Sequence, residues 1–173
     1  MKKFISLCLV LVLTLTMLAG CGSQKASLEG TPTDIIGKIY EQQSVEFAPM
    51  TLTPDDPDYG AMWDWFSYTG LTNGDSIKEA AVSEPMMGSI PFSLVVVRVN
   101  ENADTKAVAE EMKNNIDTRK WICVEAGDLQ VAGYGDVVML VMVDEAYADQ
   151  DLTSQAFVDA FRTVCGADPD FTI

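Results

Sequence analysis

Hydrophobic and polar positions along the chain fall into three kinds of pattern. The first is the near-continuous apolar run. Leu94-Val95-Val96-Val97-Arg98-Val99 and Val137-Val138-Met139-Leu140-Val141-Met142-Val143 lack in-and-out alternation, and strands apolar on both sides are buried on both sides. Both are predicted to be central strands of one sheet. Residues 77–82 read as an edge strand leading into Met86-Met87. Trp121-Ile122-Cys123-Val124 reads as a further strand and Leu129-Gln130-Val131-Ala132 as a short one. Turns fall at Thr72-Asn73-Gly74-Asp75 and Gly133-Tyr134-Gly135-Asp136.

The second pattern is helical spacing. Ile35, Ile36, Ile39 and Tyr40 share a face of a helix opening at Thr33-Asp34 and fading near Gln43. Asp104 caps a helix to Asn115, with Val108, Met112 and Ile116 on its apolar stripe. A last helix opens at Thr153 or Ser154, carries Phe157, Phe161, Val164 and Cys165 on one face, and stops at Gly166. The expected fold is α+β: a mainly antiparallel sheet of four or five strands with helices packed on it. One sheet face is assigned to the helices at 104–115 and 154–165. The other falls to the amino-terminal helix with residues 63–68, or to a second copy of the chain in a homodimer.

The third pattern is at the amino terminus. Met1-Lys2-Lys3 precedes an apolar run over residues 4–18, which ends at Leu18-Ala19-Gly20-Cys21. A basic head, an apolar stretch and small residues form a secretory signal. The run falls short of the ~20 apolar residues that a membrane span requires. Leu, two small residues and Cys resemble the bacterial lipobox, whose Cys is diacylated. The expected organisation is a lipoprotein signal peptide over 1–20, a lipidated Cys21 (palmitate among its chains) with a flexible linker over 21–32, and a single extracytoplasmic domain over 33–173.

Charge then removes partners. The chain carries a net charge of −15, and loss of residues 1–20 with Lys2 and Lys3 makes it more negative. Such a surface repels nucleic acid and anionic lipid, so the membrane contact is assigned to the lipid on Cys21 alone. There is no histidine, which removes Ser-His-Asp and Cys-His catalysis and histidine zinc sites.

Candidate chemistry is sparse. The acidic loop at 54–60 has Gly60 sixth from Asp55, but Pro57 stands third and Phe66 twelfth, so it fails as a calcium loop. Residues 144–151 fail likewise. Met86-Met87 is too few thioethers for copper(I). No metal or other cofactor is expected. Trp63, Trp65 and Tyr68, in the most aromatic stretch, are the candidate binding surface; the competing reading is that they close one side of the core. Cys123 and Cys165 are the thiols an exported chain can pair, against the alternative of two buried free thiols.

The lipobox, Phe66-Ser67-Tyr68-Thr69-Gly70-Leu71, residues 91–99 and Asp117-Thr118-Arg119-Lys120-Trp121-Ile122-Cys123-Val124 together resemble a family of small Gram-positive lipoproteins carrying a domain of unknown function. The resemblance implies a compact extracytoplasmic domain and transfers no site. The expected function is a non-catalytic binding or interaction module on the outer face of the cell membrane, for an unidentified protein or small molecule. The alternatives are an envelope enzyme using paired carboxylates and an accessory solute-binding lipoprotein.

Overall fold

The computed structural model describes residues 27–173, the side chains of 148–150 apart. The expected signal and Cys21 lie outside the described residues. Those residues build an α+β fold with one six-stranded antiparallel sheet, in the order β1-β2-β3-β5-β4-β6. The strands are β1 (Pro49–Leu52), β2 (Ile77–Pro85), β3 (Phe92–Val99), β4 (Asp128–Tyr134), β5 (Val137–Val143) and β6 (Phe171–Thr172). The helices are α1 (Pro32–Gln42), α2 (Trp65–Thr69), α3 (Thr105–Asn115) and α4 (Ser154–Cys165), with 3-10 turns at Gly60–Met62 and Glu145–Gln150.

The two runs without alternation are central. Every residue of β3 and β5 is buried, and they pair Leu94 with Val141 and Val96 with Met139. The count of four or five strands falls short because β1 and β6 are brief. Pro49 interrupts the apolar pattern of β1, and β6 has only two residues. β6 lies so close that a Cβ on Gly133 would meet the Phe171 ring. A second correction concerns residues 121–124. They form a loop, with Cys123 at φ 64° and Ile122 83% exposed. Positive φ is incompatible with an extended strand, and the strand starts instead at Asp128.

The pairing of helices also differs from expectation. One face carries α1 and α4, whose Ile35, Ile36, Ile39, Phe157 and Phe161 pack on Phe92, Leu94, Val96 and Met139. The opposite face carries α3 with Leu71, Ile116 and Ala126, packed on Val95, Val97, Leu140 and Met142. Trp63, Trp65, Tyr68 and Trp121 pack against this second core at its margin. The reason is topological. The β3-α3-β4 and β5-α4-β6 connections step the same way across the sheet, but β3 and β5 are antiparallel. Crossovers of one hand then put their helices on opposite faces. Both faces are thus covered within one chain.

The sheet has two unlike ends. At one, Arg98 is 6% exposed and binds Asp136, Ser27 Oγ and the carbonyls of Leu28 and Gly30. Residues 27–30, expected as linker, are therefore held against the sheet, and α1 begins at once with a Thr31–Asp34 capping box. The far end carries the segments between elements at 43–48, 86–91, 116–127 and 144–153.

Candidate binding surface

Trp63, Trp65 and Tyr68 come together as the start of a row of rings. Asp64 caps α2 by accepting from the Ser67 N–H, and Gly70 ends it in the left-handed region at φ 76°. This short helix sets Trp65 and Tyr68 on either side of Trp63. The Trp63 ring lies 5.3 Å from each, nearly perpendicular to Trp65 and tilted to Tyr68, within the usual range for ring pairs. Gly74 is needed beside the row, since a Cβ there would run into the Trp65 indole.

The row continues through a cation. Lys120 Nζ stands 5.6 Å from the Tyr68 ring centroid and 5.3 Å from that of Trp121. It donates to Glu84 at 2.5 Å and to the Ser67 carbonyl at 3.1 Å. Glu84 also accepts from the buried Ser93 hydroxyl at 2.7 Å. Burial pulls the Lys120 ammonium below the ordinary lysine range, and the Glu84 charge opposes that shift. Tyr68 is pushed upward, by burial first and then by the charges of Glu84 and Asp64. A lysine held by a carboxylate, a carbonyl and two ring faces is a structural post between aromatic side chains, with its donors engaged.

The three predicted aromatics are half-buried, which divides them between closing the core margin and forming a surface. Their neighbours are open to solvent: Met62 is 62% exposed and Phe66 54%. Ile122, next to Trp121, is more open still. Trp63 Nε1 is buried without a hydrogen-bond partner, which costs about 1–3 kcal/mol. At the other end of the row, Trp65 lines a cavity of about 430 Å³ with Thr31, Pro54 and Ile77.

Lys120, Trp121 and Glu84 had no sequence signal as members of this site. Their segments are far apart in the chain, and only the sheet register and the 116–127 loop bring them together. Cys123 and Cys165 are both free. Cys123 is exposed on the loop whose Trp121 packs on the α3 face, and Cys165 packs against the core of the α1–α4 face. In this structure the two thiols are unpaired, Cys123 open to solvent on its loop and Cys165 against the core.

Among the described residues, no three of Cys, Asp and Glu converge as a metal-binding group, and no helix is long and apolar enough to cross a membrane. No family model, curated protein or solved structure matches this chain. The resemblance to Gram-positive lipoproteins stands on its quoted motifs alone.

Proposed function

We propose that the chain is a lipoprotein anchored through Cys21 on the extracytoplasmic face of the membrane, and that its domain is a non-catalytic binding module. The observation that carries the binding reading is the ring row ending at Lys120, flanked by the exposed Phe66 and Met62. Large rings beside solvent-facing apolar residues form the type of surface that partners contact. The anchor reading is supported by the basic head, the apolar run and the lipobox Leu18-Ala19-Gly20-Cys21.

The test has two arms. Cys21→Ser moves the protein from the membrane to the soluble fraction and abolishes acyl labelling; retention with label at another position would sink the anchor. A photo-crosslinking residue at Phe66 gives a discrete adduct in cells, and the same residue at Glu110 on α3 gives none. Equal yields at both positions, or none at either, would remove the binding surface.

A further inference from the structure

The far end of the sheet holds a second cavity, unrelated to the ring row. It measures about 460 Å³ and lies between the segment after α1, Ile90 and the segment before α4. Its apolar wall is Val45, Phe47, Ile90, Tyr147 and Leu152. All five are only partly buried and pack against the core. Phe92 behind them is fully buried and meets the Phe47 ring edge-on at 5.0 Å. The five close the margin of that core, and together they line the cavity. A volume of this size suits a small organic molecule.

Charge selects the class of molecule. Glu46 and Asp151 line the cavity, and among the described residues lining it there is no lysine or arginine. The C-terminus of the eleven-residue α1 ends beside it, with no basic residue in its last turn to offset the negative end of the helix dipole. Gln43, the next residue, donates through Nε2 to the Asp151 carbonyl at 3.4 Å and so ties the two walls together. Apolar walls, two carboxylates and an uncompensated helix C-terminus complement a positive charge on a hydrophobic body.

We propose that this cavity binds a small organic cation with an apolar body. The body rests on Val45, Phe47, Ile90 and Leu152, and the charged group is directed to the Glu46 and Asp151 carboxylates. The site lies at the end of the sheet opposite Arg98 and residues 27–30.

Methyl-resolved NMR of the full chain in nanodiscs tests this, with phenylbutylammonium as probe and phenylbutanol as its neutral counterpart. The amine produces saturable shifts at the Val45, Ile90 and Leu152 methyls and none at Val108 on the other face. The alcohol binds about tenfold more weakly, the scale of one charge-assisted contact. Glu46→Gln with Asp151→Asn removes that preference, and the Val108 signals report whether this variant is folded. If it is not, Glu46→Gln alone at its exposed position halves the preference or better. Three outcomes overturn the proposal: no saturable shift at the cavity methyls, equal affinity for amine and alcohol, or shifts of equal size on both faces.

Discussion

Arg98 Nη1 lies 2.7 Å from Asp136 Oδ2 across the β3–β5 pair. The guanidinium is almost wholly buried, and its other amino group is shared by the Leu28 and Gly30 carbonyls. One side chain thus joins two central strands to the segment that leads into α1. A planar fork with several donors suits such a junction, and an ammonium does not.

Replacement of Arg98 by Met should therefore destabilise the fold by about 3 kcal/mol, the scale for breaking a buried pair and stranding its partners. Arg98→Lys recovers only part of this. Urea denaturation measures the loss, and limited proteolysis should show new cleavage within 27–31. Unchanged stability with an intact segment would contradict the junction.

Lys120 gives a pH signature. Its folded pKa lies below the ordinary value of 10.5 because burial disfavours the ammonium. Between those two values the unfolded chain binds more protons than the folded one, so this residue's contribution to stability rises with pH. Wild type should gain stability relative to Lys120→Met as the pH rises toward 10.5. A flat difference across that window would show that the ammonium is not desolvated.

Gly70 stands at φ 76°, and a Cβ there would lie 2.6 Å from the Met112 carbonyl oxygen and 2.8 Å from Ile116 N. Both obstacles are backbone atoms of the α3 terminus, which have little room to yield. Gly70→Ala is expected to cost about 2 kcal/mol or more, from left-handed strain and displacement together. Thermal unfolding with the α3 amide signals checks both parts.

The two thiols should differ in reactivity. Burial, and then the Asp170 charge, push the Cys165 thiol up to about 12, whereas Cys123 is exposed. Thiolate is the reactive form. Alkylation under native conditions, mapped by mass spectrometry, should mark Cys123 quickly and Cys165 only on unfolding. Equal labelling would place Cys165 in solvent.

The sequence by itself determined three helices and the two central strands. The isoleucine spacing of α1, the Asp104 and Thr153 caps and the Gly166 stop set the helices, and unbroken apolar runs marked β3 and β5 as central. These are periods and caps written within about a dozen residues. It also singled out Trp63, Trp65 and Tyr68 as a candidate surface from the density of rings in that stretch. Helical spacing, however, grouped Trp63 with Phe66, whereas the fold pairs Trp63 with Trp65 and leaves Phe66 exposed. Only the tertiary structure decided which helices share a face, since that depends on strand order and crossover hand rather than on any helix's own pattern. The same holds for Lys120. Its loop carries an apolar stretch that imitates a strand, and its role follows from Glu84, Tyr68 and Ser67 arriving from distant segments. The cavity at the far end is built from three separate segments, so no local pattern announces it.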